Sequence, residues 1–139
     1  MKDFKFDVPL FVFTWTYISE GVFKISSLLI DEYPLLVLPS LAEEIGLNEA
    51  IVLQQIHFWL SKEKNFIDGR YWVFNSYEDW SKQFPFWSVS TIRRIFGKLE
   101  ESGLVISGNY NKIGADRTKW YSIDYEKVSE ISPPSVQIK

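Results

Sequence analysis

At 139 residues the chain is the size of one ordinary domain, long enough to build a hydrophobic core. Six Trp, seven Tyr and eleven Phe exceed what a disordered chain carries, so most of the sequence is expected to fold. The lack of Cys excludes disulfides and thiolate metal sites, the single His argues against a metal centre, and a net charge of −3 argues against a general coat for nucleic acid.

The charge is unevenly spread. Residues 1–50 hold three Lys/Arg and eight Asp/Glu, residues 51–87 four of each, and residues 88–139 eight against six. Within 88–122 the six cations Arg93, Arg94, Lys98, Lys112, Arg117 and Lys119 face three acids, Glu100, Glu101 and Asp116. Positive charge therefore gathers late in the chain, as an electrostatic footprint for phosphates would.

The first stretch, residues 1–27, contains the apolar run Val8–Ile18, too short for a membrane span of about 20 residues. Asp3, Asp7 and the bulky Tyr17–Glu20 do not fit a signal peptide. The run reads as a structural strand, a segment covering the core, or a leader without fixed structure. Leu35–Leu38 reads as a short strand stopped by Pro39. Ser40 and Glu43 have the form of a capping box, and Gly46 that of a helix end. Asn48 is expected to cap a second helix, aided by Glu49. On it Ala50, Leu53, His57 and Leu60 share one face with Val52, Ile56 and Trp59 beside them, a stripe wide enough for the middle of a core. His57 is read there as a packed or hydrogen-bonded core histidine.

Lys62–Arg70 reads as a loop with Asp68–Gly69 as its turn, followed by the aromatic strand Tyr71–Phe74. Ser76 caps the next helix with Asp79 as partner, Tyr77, Trp80 and Phe84 supply its core contacts, and Pro85 ends it. Ser88 caps the helix after that. Ile92, Ile95, Phe96 and Leu99 face inward at helical spacing, leaving Ser90, Arg93, Arg94, Gly97 and Lys98 outside. Glycine inside a helix costs about 1 kcal/mol relative to alanine, so Gly97 is either a site of close approach by a partner or tolerated drift. Gly103 ends the helix, Leu104–Ile106 and Thr118–Asp124 form a hairpin, and Ser107–Arg117 is its long polar tip. A brief helical turn follows Tyr125, the folded unit ends near Ile131, and Ser132–Ser135 is linker-like.

This order predicts an α+β, mainly helical, winged helix-turn-helix with a C-terminal β-hairpin wing. Short hydroxyls at Ser88, Ser90 and Thr91 and the cations Arg93, Arg94 and Lys98 suit a recognition helix on double-stranded DNA. Asn111, Lys112, Arg117 and Lys119 suit a wing that follows the phosphates or the minor groove. The plain alternative at each position is a solvated helix face or hairpin. No nucleophile–base set, phosphate loop or metal constellation is visible, which predicts a binding protein without cofactor rather than an enzyme.

The runs LIDEYPLLVLPSLAEEIGLNEAIVLQQIHFWL (29–60), DGRYWVFNSYEDWSKQFPFWSVSTIRRI (68–95) and DRTKWYSIDY (116–125) resemble the start of replication proteins from phages and prophages of Gram-positive bacteria. Such proteins are similar to the N-terminal winged-helix domain of DnaD-type replisome organisers. The resemblance covers roughly residues 28–126, leaving 1–27 as an extension and 127–139 as a linker or tail. It implies origin binding (with single-stranded DNA as a further target where an origin opens), self-association, recruitment of a replicative helicase or its loader, and a bacterial cytoplasm. In that family a second domain often follows the linker, so this chain reads as an N-terminal module. Two other functions fit the same residues: a protein-interaction winged helix that binds DNA weakly or not at all, and a phage transcriptional regulator.

Overall fold

A computed structural model describes residues 33–62 and 64–131 of the chain. The architecture is α+β, and the described elements, from Leu36 onward, belong to one compact unit. The expected content of residues 1–27 lies outside the described residues.

Residues 33–38 carry no regular secondary structure, so the expected strand at Leu35–Leu38 does not form. Leu36, Val37 and Leu38 are exposed there, and among the described residues no strand pairs with them to satisfy their amides. Pro39 does not stop an element but starts one. Helix α1 spans Pro39–Ile45, with the fixed φ of proline suited to a first helical turn. Leu38 is its N-cap and supplies no side-chain bond, so Ser40 lies inside the helix and the expected capping box with Glu43 is absent.

Gly46 joins α1 to α2 (Leu47–Lys62) at φ 103°. Its amide donates to the Ala42 carbonyl at 2.9 Å and its carbonyl accepts from Ala50 at 2.9 Å. One residue thus closes the first helix and opens the second, which places Asn48 inside α2 rather than at its cap. The α2 side chains Ala50, Val52, Leu53, Ile56, Trp59 and Leu60 are buried. His57 is exposed, a correction to its expected place in the core: its Nδ1 lies 2.8 Å from the Tyr125 hydroxyl at the edge of the fold.

The segment read as a loop contains a small hairpin. Strands β1 (Phe66–Ile67) and β2 (Arg70–Tyr71) pair antiparallel around Asp68 at φ 50° and Gly69 at φ 81°. Two successive positive φ values make the primed turn whose twist matches a hairpin, which is why Asp-Gly occurs there. The aromatic strand starts later than expected, as β3 (Val73–Asn75). It pairs with β5 (Lys119–Ile123), which pairs in turn with β4 (Val105–Gly108), giving an antiparallel sheet in the order β3-β5-β4.

Helix α3 (Tyr77–Gln83) begins at a real cap: the Ser76 Oγ accepts from the Asp79 amide at 3.1 Å and donates to the Asp79 carboxylate at 2.9 Å. The turn of residues 84–88 leads to α4 (Val89–Glu101), capped by the Ser88 Oγ, which accepts from the Thr91 amide at 3.2 Å. Gly103, at φ 79°, takes the chain out of α4 and into β4. Helix α5 (Tyr125–Ile131) follows β5 directly.

Trp80, Phe84, Phe96, Tyr121, Ile56, Ile92 and Ile95 fill the core among α2, α3, α4 and the sheet. The rings of Trp80 and Phe96 are 5.4 Å apart and those of Phe96 and Tyr121 4.8 Å, close enough for aromatic attraction beyond area burial. Gln83 Oε1 accepts from both Gln55 Nε2 and Trp59 Nε1 at 2.7 Å, tying α3 to α2. On the outer face of the sheet Phe74, Trp120, Tyr110 and Trp72 form a second aromatic layer with ring separations of 4.6, 5.6 and 5.1 Å.

Candidate nucleic-acid interface

Helix α4 is the most sharply two-sided element of the described chain. Ile92, Ile95, Phe96 and Leu99 are buried, while Ser90, Arg93, Arg94 and Lys98 are exposed and Gly97 is half-buried. Because α3 and the turn before α4 anchor it through Trp80 and Phe84, its outward stripe is fixed relative to the sheet. At its start the Ser88 Oγ lies 3.0 Å from both the Ser90 and the Thr91 hydroxyls. The three expected hydroxyls therefore sit together, each already engaged with its neighbours.

The six expected cations differ in how free they are. Arg93 lies over the Tyr77 ring, its guanidinium carbon 5.2 Å from the centroid, so α3 steers it without neutralising it. Lys98 ion-pairs with Glu49 of α2 at 3.5 Å, at the exposed edge of the helix. Lys119 turns inward: its Nζ donates to Glu100 at 2.9 Å and to the Tyr77 hydroxyl at 3.5 Å, and it sits over the rings of Tyr77 and Tyr121. Desolvation works against the Lys119 charge, but Glu100 and Tyr77 outweigh it, and the ammonium titrates above its ordinary range. Burial, reinforced by Tyr77 and Glu100, likewise pushes the Tyr121 phenol far above its ordinary range. Lys119 is thus a rivet between β5, α3 and α4. Arg94, Lys112 and Arg117 are exposed and make no ion pair among the described residues.

The β4–β5 loop owes its shape to Asn111. Its Nδ2 donates to the carbonyls of Asp116 at 3.1 Å and Thr118 at 2.7 Å, while its Oδ1 accepts from Trp120 Nε1 at 2.7 Å. The expected contact residue is therefore the brace that closes the loop, leaving Lys112, Ile113 and Arg117 exposed beyond it. The Tyr110 hydroxyl donates to Asp68 at 2.9 Å and so ties this loop to the β1–β2 hairpin, a link across 42 positions that no local signal announces.

A separate concavity was not foreseen. A cleft of about 360 Å³ opens between α1, α2 and α5, with Leu41, Leu53, Ile123 and Val128 as apolar lining and His57 and Tyr125 among its polar groups. Among the described residues no group of three or more His, Cys, Asp or Glu is arranged to hold a metal ion, and no helix is long and apolar enough to cross a membrane. Comparison with protein-family models, with curated proteins and with solved structures returns no match.

Proposed function

We propose that the chain is a winged helix-turn-helix module that binds duplex DNA, with α4 as recognition helix and the β4–β5 loop as wing. The observation that carries this reading is the combination of element order with charge. Helix, strand, two helices joined by a tight turn, and a hairpin whose last strand pairs centrally with the first form the layout of winged helices, and the outward face of α4 bears hydroxyls and guanidiniums. Arg93 and Arg94 anchor the helix on the groove, Lys112 and Arg117 anchor the wing on phosphates, and Ser90 reaches toward base or backbone. Lys98 joins them once Glu49 releases it, while Asn111 and Lys119 act by holding the wing and helix in place.

Within this reading the biological role is initiation of replication in a phage or prophage, a bacterial cytoplasmic process, and it rests on the resemblance of the sequence motifs alone. A transcriptional regulator would present the same surface. A protein-interaction role is favoured by one observation, the apolar cleft together with exposed Leu36, Val37, Leu38 and Leu47.

The test is binding to labelled double- and single-stranded DNA at two salt concentrations. Several phosphate contacts predict duplex affinity that falls steeply with salt. Arg93→Ala with Arg94→Ala weakens it without altering circular dichroism, because both side chains are exposed. A folded protein that binds no DNA at low salt overturns the proposal and leaves the interaction reading.

A further inference from the structure

The turn between α3 and α4 exposes a large ring that the core does not use. Phe86 is 59 % exposed, whereas Phe84 two residues earlier is fully buried. The exposed ring is nevertheless held. It stands edge to face against Trp87 at 4.7 Å and against Phe84 at 6.4 Å, and Trp87 leans on Phe84 at 5.4 Å. Pro85 restricts the backbone just before it, and the Trp87 amide donates to the Phe84 carbonyl at 3.1 Å. A side chain already fixed before its partner arrives loses little further freedom on contact.

Its position decides what that partner is. Phe86 lies two residues before Ser88, the cap of the helix that carries the Ser90 and Thr91 hydroxyls and Arg93 and Arg94. An apolar ring just ahead of a helix whose outward face carries hydroxyls and guanidiniums does not suit an apolar protein groove. It does suit the major groove, where the 5-methyl group of thymine is the apolar feature among the hydrogen-bonding base edges. Resting on the duplex-DNA reading above, we propose that Phe86 is a specificity-determining residue that packs on a thymine methyl group as the N-terminal end of α4 enters the groove. A backbone phosphate gains nothing from a phenyl ring, so the contact discriminates between base pairs rather than adding uniform affinity.

The experiment compares anisotropy titrations of a duplex of about 24 alternating A·T base pairs with the same duplex carrying deoxyuridine in place of thymidine, which deletes the methyl groups and keeps the hydrogen-bonding edges. The wild-type protein is expected to bind the thymine duplex about fourfold more tightly for each methyl group it buries. Phe86→Ala should bind the two duplexes equally, and Phe86→Leu should retain part of the preference, with both variants giving wild-type circular dichroism. Tight duplex binding with no preference for thymine overturns the proposal and leaves the DNA reading intact. A Phe86→Ala variant that weakens on both duplexes while keeping the preference also overturns it. Tighter binding to a single-stranded thymidine oligomer, lost in Phe86→Ala, would assign the ring to base stacking instead and refute the groove contact. If the wild-type protein binds neither duplex nor single strand, the DNA reading itself fails.

Discussion

Replacing Gly97 by alanine separates a structural role from an interface role, because the two predict opposite signs. Gly97 lies well inside α4 (Val89–Glu101) with ordinary helical dihedrals. A β-carbon built there meets nothing within 4 Å, so nothing in the described fold uses the space that glycine leaves. Alanine then removes the conformational penalty of glycine and stabilises the helix by up to about 1 kcal/mol. For a folded unit of about 100 residues this corresponds to a rise in Tm of roughly 4–8 °C. The same methyl group projects from the stripe that carries Ser90, Arg93 and Arg94. Where a DNA backbone packs closely, an extra methyl group costs on the order of 1 kcal/mol or more, about fivefold in affinity. Thermal melts by circular dichroism and duplex titrations at one salt concentration read both quantities. Higher Tm with weaker binding is the expected pair. A higher Tm with unchanged affinity would remove Gly97 from the interface, and a lower Tm would refute the premise that the chain itself does not need the glycine.

Glu49→Gln frees Lys98 from its ion pair and should strengthen duplex binding modestly while steepening the slope of log affinity against log salt by about 0.9; an unchanged slope would place Lys98 off the DNA. Lys119→Met breaks the contact with Glu100 and should lower the urea midpoint with no change in the salt slope, whereas a shallower slope would show that Lys119 touches phosphate after all. Asp79 carries the acid sensitivity of the α3 cap. Desolvation opposes its ionisation, but Lys82 and Ser76 outweigh this and lower its pKa below the ordinary carboxylate value. The stability so gained is complete above the unfolded carboxylate value and disappears as the pH falls through the folded one, in the region below about pH 4. Asp79→Asn should therefore flatten stability against pH in that region, and denaturation profiles unchanged by the substitution would contradict it.

What the sequence disclosed and what it hid divide along the range of the interactions concerned. Ser76, Ser88 and Gly103 were readable because a cap or a helix end is settled within four residues. The inward set Ile92, Ile95, Phe96 and Leu99 followed from helical period alone, and so did the outward Ser90, Arg93 and Arg94. Leu35–Leu38 misled because an apolar run looks the same with or without a partner strand. Ser40 misled because Pro39 is itself a good first helical residue and starts α1 two positions earlier than a cap at Ser40 implies. His57 has the right angular position on α2 for the core, but periodicity does not reveal that the cleft beside α1 and α5 leaves its ring exposed. The fates of the candidate DNA contacts were least legible. Lys98 answers to a residue 49 positions away, and Lys119 to one 19 positions away, so their spacing along the chain carries no sign of either pair. Asn111 read as a contact because asparagine in a polar loop is commonplace; only the three-dimensional path of the loop turns its amide inward.

That amide also bears on how such a surface can diversify. With Asn111 joining Asp116, Thr118 and Trp120 beneath the apex, residues 112–115 hang from a closed ring and contribute no side-chain hydrogen bond to it. The apex can therefore be exchanged like a removable bit on a fixed handle. New charges, other lengths or a different tip can be tried by mutation or grafting at little risk to the rest of the domain, while Asn111, whose amide closes the ring, is the residue that must stay.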